Sequence, residues 1–242
     1  MGGDPRALLD SRLGLFADAA VLDAVSLIDG WRAAGIDVIS LAHADRHPRL
    51  LAGDPPLLFV RGRLDPSDMT GVAIVGSRAA SPDALDDAAM IASAVARSGR
   101  TVISGLARGI DAAAHTACID AGGRTYAVLA TGVDRTYPPE HVALADRILA
   151  TGGALISECL PGTPPSPERL RARNATLVRL AAVTVVVAAS ERSGARIAVR
   201  HALGAGRPVI VLPRLARLEW VRDLGGRVAA VGGPEEVVEA IK

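Results

Sequence analysis

From Gly71 onward, short apolar runs alternate with alanine-rich stretches that repeat with helical spacing. The runs are Val72–Val75, Thr101–Ser104, Thr125–Leu129, Ala154–Ser157, Thr184–Ala188 and Pro208–Leu212. Four or five consecutive apolar, often β-branched residues are the pattern of strands buried on both faces. The intervening stretches, near 83–98, 110–121, 140–150, 169–181 and 194–205, predict helices. Strand and helix alternating this regularly predict βαβ units with right-handed crossovers. The expected fold is therefore α/β: a Rossmann-like, doubly wound, mostly parallel sheet.

Upstream, residues 5–17 and 18–34 carry apolar residues at helical spacing, and Ile36–Leu41 is strand-like. The stretch 42–71 holds Pro48, Pro55, Pro56 and Pro66 and one apolar run, Leu57–Val60. These features predict a small helical N-terminal extension and lead-in over residues 1–70, packed on a main domain over 71–242. The tail predicts a helical stretch at 215–224, a Val228–Val231 run and a helix opening at Pro234, where Pro and two glutamates suit a first turn.

At 242 residues and 50% hydrophobic, the chain buries a large core and is not disordered. No run of eighteen uncharged apolar residues exists, so no spanning helix is expected, and Asp4, Arg6, Asp10, Arg12 and Asp18 argue against a secretory leader. Two cysteines, Cys118 and Cys159, make no disulfide framework, which fits a reducing cytoplasm.

The net charge of +1 conceals an uneven distribution. Residues 1–160 carry a net −5, whereas 161–214 hold nine arginines against Glu168 and Glu191, a net +7. A local basic stretch in a neutral chain points to an anionic partner at one place. All basic residues but Lys242 are arginine, a preference that codon usage accounts for and that also suits phosphate recognition.

Ligands of open α/β sheets bind at the carboxyl ends of the strands. The loops there read Gly76-Ser77-Arg78; Ser104-Gly105-Leu106-Ala107-Arg108-Gly109-Ile110-Asp111; Thr131-Gly132-Val133-Asp134; Glu158 and prolines leading to Arg169, Arg171, Arg173 and Asn174; and Glu191-Arg192-Ser193-Gly194. Glycines and free amides before helices, with arginines beside them, describe a phosphate cradle. The second and third glycines of the dinucleotide fingerprint are missing and no Gly-Lys-Ser/Thr loop exists, so nicotinamide, flavin and nucleoside-triphosphatase chemistry is disfavoured and no cofactor is expected. His43 and His47 precede Pro48 in a loop-like context, Cys118 reads as a buried small hydrophobe, and Asp111, His115 and Asp134 suit capping and bracing better than catalysis.

Taken together, Val72-Ala-Ile-Val-Gly-Ser-Arg78, Ser104-Gly-Leu-Ala-Arg-Gly-Ile-Asp-Ala-Ala-Ala-His115, Thr131-Gly-Val-Asp134, Tyr137-Pro-Pro-Glu-His141, Arg173-Asn174 and Ser193-Gly194 strongly resemble the DNA-processing protein A family (DprA, also called Smf). Asp54-Pro-Pro-Leu-Leu-Phe-Val-Arg-Gly62 resembles its lead-in, and the similarity covers roughly residues 45–213. The resemblance implies a single-stranded DNA-binding recombination mediator of natural transformation, not an enzyme, working as a homodimer that protects incoming strands and loads RecA. Gly76, Ser77, Arg78, Ser104, Gly105, Arg108, Gly109, Gly132, Arg169, Arg171, Arg173, Asn174, Ser193 and Gly194 are then the expected DNA and phosphate contacts.

The chain departs from the family pattern at Leu170, Ala175, Ala188, Arg196 and Ala198, all in the half of the site whose DNA affinity those changes call into question. It is also expected to lack the winged-helix module that many relatives carry. The competing expectation is an enzyme or sensor that uses the same loops for a nucleotide or phosphoribosyl ligand. Aromatic residues are only 2% of the chain, and only Tyr137 falls near the loops, so a backbone-dominated DNA mode is expected over base stacking.

Overall fold

A computed structural model describes residues 19–40, 57–65, 68–191 and 193–240. The helix expected over 5–17, His43 and His47, and the prolines of the lead-in lie outside these residues. In chain order the elements are α1 (Ala19–Ala33), β1 (Ile36–Ser40), β2 (Leu57–Gly62), β3 (Val72–Gly76), α2 (Pro82–Arg97), β4 (Val102–Ser104), α3 (Ile110–Asp120), β5 (Thr125–Leu129), α4 (Val142–Ala150), β6 (Ala154–Ser157), α5 (Pro167–Leu180), β7 (Val183–Ala188), α6 (Ala195–Gly204), β8 (Val209–Val211), α7 (Glu219–Arg222), β9 (Ala229–Ala230) and α8 (Pro234–Ala240).

The strands form one sheet in the order β1-β2-β6-β5-β4-β3-β7-β8-β9. From β6 to β9 all neighbours are parallel, and β1 and β2 extend the sheet by antiparallel pairing. The chain steps outward from β3 through β4, β5 and β6, then returns to place β7 on the other side of β3. That reversal is the topological switch point, and it opens a crevice beyond the carboxyl ends of β3 and β7.

Strand alternation divides the core. Val72, Ile74, Val102, Val183, Val185 and Val187 pack under α2 and α3, while Ala73, Val75, Ile103, Val128, Val186 and Val211 pack under α5 and α6. The helices answer with stripes of small residues: Ala84, Ala88, Ile91, Ala92 and Val95 on α2, and Ala195, Ala198, Val199 and Ala202 on α6. Such stripes, at i, i+4, i+7 and i+8 on α2 and at i, i+3, i+4 and i+7 on α6, let a helix sit close to the sheet. A third cluster joins Phe59, Ala127, Leu129 and Leu155 to Ala145 and Ile148 of α4, and Trp31 of α1 meets Phe59 edge-on at 5.2 Å.

Three boundaries differ from those expected. Helix α5 begins two residues early, because Ser166 caps it by accepting from Arg169 N and Pro167 takes the first turn. The helix expected over 140–150 opens with a separate 3₁₀ turn at Pro139–His141. The stretch 215–224 is not one helix: a 3₁₀ turn at Pro213–Leu215 and the single turn of α7 replace it.

The lead-in is tied to the sheet at the other end of the strands. Arg124 donates to Asp65 at 2.9 Å and to Thr101 Oγ1 at 3.1 Å, and the Tyr126 hydroxyl accepts from Asp65 N at 3.0 Å. His115 is fully buried, with Nδ1 2.7 Å from Thr125 Oγ1. The Thr125 hydroxyl spends its one proton on Val102 O at 2.8 Å, so His115 Nδ1 is the donor and the ring is the neutral Nδ1–H tautomer. Burial, then the nearby charges of Arg173 and His141, lowers its pKa from 6.5 to about 3.

Below pH 6.5 the unfolded chain takes up a proton that the folded chain refuses, so this histidine makes stability fall as pH drops towards 3. In urea unfolding of wild type and His115→Gln, the stability advantage of wild type is expected to shrink by about 2 kcal/mol between pH 7.5 and pH 5. An advantage independent of pH would contradict the assignment.

Candidate nucleic-acid interface

The crevice at the switch point is a cleft of about 530 Å³. Its walls come from the β3–α2 loop (Gly76, Ser77, Arg78), from α5 (Leu170, Arg171, Arg173, Asn174) and from the β7–α6 loop (Ser193, Gly194), with Asp111 at its floor. A smaller recess adjoins it, lined by Gly105, Arg108, Ala130, Tyr137 and Pro138. Arg78, Ala107 and Leu170 border both, so Arg78 stands on the ridge between them.

The floor explains how the loops hold their shape. Arg173 is only 7% exposed. Its Nη1 donates to Gly105 O at 2.5 Å and to Val128 O, and its Nε donates to Asn174 Oδ1 at 3.2 Å. One guanidinium therefore joins α5 to the end of β5 and to the β4–α3 loop. Asp111, also buried, accepts from Gly105 N at 3.2 Å and Ala107 N at 3.3 Å. Burial raises the Asp111 pKa, with the Arg173 charge and the two amides pulling it back. Burial lowers that of Arg173, Asp111 opposes the shift and Arg78 adds to it. The guanidinium stays charged regardless.

Two glycines are required by this packing. A side chain at Gly105 would occupy the space of the Arg173 guanidinium. Gly109, at φ +72°, lies against Ser77 O and the Arg78 backbone, where the left-handed conformation and the lack of a Cβ both matter. The adjacent Ile110 N donates to Ser77 O at 3.2 Å, fastening the β3–α2 loop to the start of α3. On the other wall Asn174 Nδ2 donates to Gly194 O at 3.4 Å, and Ser193 Oγ accepts from Ala195 N at 3.2 Å.

The fourteen residues expected at the site separate by role. Gly76, Ser77, Arg78, Arg171, Arg173, Asn174, Ser193 and Gly194 line the cleft, and Gly105 and Arg108 line the recess. Ser104 is buried and donates to Ile74 O at 2.6 Å, so it ties β4 to β3 beneath the loops. Gly132 lies elsewhere: its N–H donates to Thr163 O, and Asp134 beside it accepts from Gly162 N at 2.8 Å. Arg169 donates to Pro164 O at 3.1 Å at the start of α5 and lines neither cavity.

The arginines are thus not equivalent. Arg173 is structural floor, and Arg108 is exposed but paired with Glu140, which raises the Arg108 pKa and lowers that of Glu140. Arg78 and Arg171 are exposed at the cleft, and neither forms an ion pair with a described residue. Sequence reasoning missed Glu140 as the partner of Arg108; the two are 32 residues apart and nothing local links them. It also missed the brace from His141 Nδ1 to Leu106 O, 2.8 Å, which holds a leucine at φ +58°. Among the described residues no group of three or more His, Cys, Asp or Glu could hold a metal, and no helix is long and apolar enough to cross a membrane.

A doubly wound sheet with an arginine-bordered cleft at its switch point defines the class: a Rossmann-like α/β protein. The family model for DNA recombination-mediator protein A matches residues 33–222, and the chain belongs to that family. It is 40% identical over 209 residues to the putative DNA processing protein DprA of Mycobacterium tuberculosis, covering 85% of this chain and 48% of that protein. It is 39% identical over 174 residues to protein Smf of a Synechocystis strain, covering 69% of this chain and 44% of that one. The chain spans about half the length of these curated relatives. Among solved structures, DNA processing protein A of Streptococcus pneumoniae matches with a TM-score of 0.76 at 28% identity, over 93% of this chain and 83% of that one. The fold is also that of DNA processing protein A from Helicobacter pylori, whose structure concerns its single-stranded DNA binding mode (TM-score 0.71, 22% identity, 85% of this chain and 95% of that one).

Removing the Arg173 guanidinium leaves two buried carbonyls without their donor and takes the opposing charge away from Asp111. Arg173→Met is expected to lower unfolding free energy by about 3–5 kcal/mol in urea titrations, whereas Arg78→Ala should change it by no more than about 0.5 kcal/mol. Equal effects would contradict the division between floor and rim.

Proposed function

We propose that this chain is a single-stranded DNA-binding recombination mediator, which holds incoming strands in transformation, passes them to RecA and acts as a homodimer. The observation that carries the reading is the pair of exposed arginines, Arg78 and Arg171, without an ion pair among the described residues and lining one cleft at the switch point of a sheet whose family is a recombination mediator. Arg78 and Arg171 contact phosphates, the amides around Ser77 and Gly194 add neutral donors, and Arg173 holds the loops from beneath. A binding role rather than catalysis is supported by the cleft's acid, Asp111, whose carboxylate is occupied by two backbone amides. Tyr137, 41% exposed beside the recess, is the aromatic ring at hand, so contacts are mainly to the backbone of the strand.

A second reading is favoured by the size of the cleft. About 530 Å³ lies in the range of small-molecule sites, which suits a nucleotide or phosphoribosyl ligand. A nucleotide-binding screen run beside a poly-dT gel shift separates the two.

Fluorescence-anisotropy titration of labelled oligo-dT at several salt concentrations tests the main reading. Affinity should fall steeply with salt, and Arg78→Ala should weaken binding and flatten the log–log slope by about 0.7 for each phosphate left without its arginine. Salt-independent binding, or an Arg78→Ala variant that binds like wild type, would overturn it.

A further inference from the structure

The outer face of α5 and α6 carries a charge pattern that the cleft does not use. Helix α6 turns Ala195, Ala198, Val199 and Ala202 to the sheet, which leaves Arg196, Arg200 and His201 exposed on the opposite side. It contains no acidic residue, and Glu168 is the sole acid of α5. The two helices pack together, and the bond from Asn174 to Gly194 O fixes the start of α6 at the cleft wall. Arg196 and Arg200 are one helical turn apart and carry the positive surface about 9 Å beyond Gly194 along the axis. At the far end, after burial, the charges of Arg179 and Arg200 are what hold the His201 pKa below its ordinary value, so residues of both helices converge there. Like charges gathered on one face cost free energy unless an anion covers them.

We propose that this face is a second contact surface for the same DNA strand, along which the phosphates leaving the cleft past Arg171 run over Arg196 and Arg200. The inference rests on the single-stranded DNA reading and adds to it a direction and a length. A strand that only fills the cleft misses this surface, and a longer one reaches it. The partner is a flexible polyanion, because the face is polar and exposed and offers no apolar anchor of the kind that a protein interface centres on.

The test uses oligo-dT of about 6 and about 24 nucleotides, spanning the usual footprint of a small binding module, with anisotropy as the readout. Arg196→Gln/Arg200→Gln should bind the short strand like wild type. On the long strand its affinity should drop about tenfold, with a salt slope flatter by about 1.4 for two phosphates left unneutralised. Arg78→Ala should bind both lengths more weakly. Circular dichroism and sedimentation report folding and oligomeric state, and Arg200→Gln alone serves if the double variant does not fold. Long-strand binding unchanged by the substitutions overturns the proposal, as does a changed oligomeric state with unchanged DNA affinity, which would make the face an interface between copies. Failure of Arg78→Ala to weaken short-strand binding would instead sink the cleft reading.

Discussion

The Arg173 guanidinium is the interaction on which the rest of the site depends. It rises from α5 into the interior and donates to carbonyls at the end of β5 and in the β4–α3 loop. The loop in turn exists in that shape because Gly105 leaves room for the guanidinium and Asp111 collects the amides of Gly105 and Ala107. A buried charge is costly unless it is paired and fully hydrogen-bonded. Here Nε and Nη1 of Arg173 have acceptors and the Asp111 charge lies near enough to oppose the cost of burial, so an alternative loop arrangement would leave those polar groups without partners. Specificity of shape, more than net stability, is what such a network supplies.

On that floor the rim is free to be electrostatic. Arg78 is held through its backbone, by the Ile110–Ser77 bond and the approach of Gly109, while its side chain remains exposed. Arg171 projects from the first turns of a helix whose start is fastened by Ser166. The backbone beneath these contacts is already fixed, so binding costs mainly the rotamer freedom of the two exposed arginine side chains. Arg108 shows the other arrangement, an exposed arginine engaged through Nε by Glu140.

Much of the fold was legible because buried parallel strands announce themselves as β-branched runs, and every run from Val72 to Leu212 is a strand or contains one. The loops at the switch point were legible because glycine at a strand end has few uses. Depth was not legible. Arg173 stands among Arg169, Arg171 and Arg179 with nothing local to distinguish it, and only the turn of α5 carries it inward. Position along a loop was also a poor guide: Gly132 follows a strand like the others, yet it packs on residues 160–163. Helix α5 starts two residues before the expected 169 because Ser166 and Pro167 form its cap and first turn, and 215–224 breaks into turns because its apolar residues, Leu215, Leu218, Trp220 and Val221, are buried from short segments and not from one stripe.

Arg173 and Asp111 act as one unit beneath the loops, joined through the Gly105 backbone. A double-mutant cycle in urea unfolding, with Arg173→Met, Asp111→Asn and the pair, measures it directly. The expected coupling free energy is about 2 kcal/mol or more, with the second substitution costing much less once the first is made. Losses that add to within about 0.5 kcal/mol would contradict it.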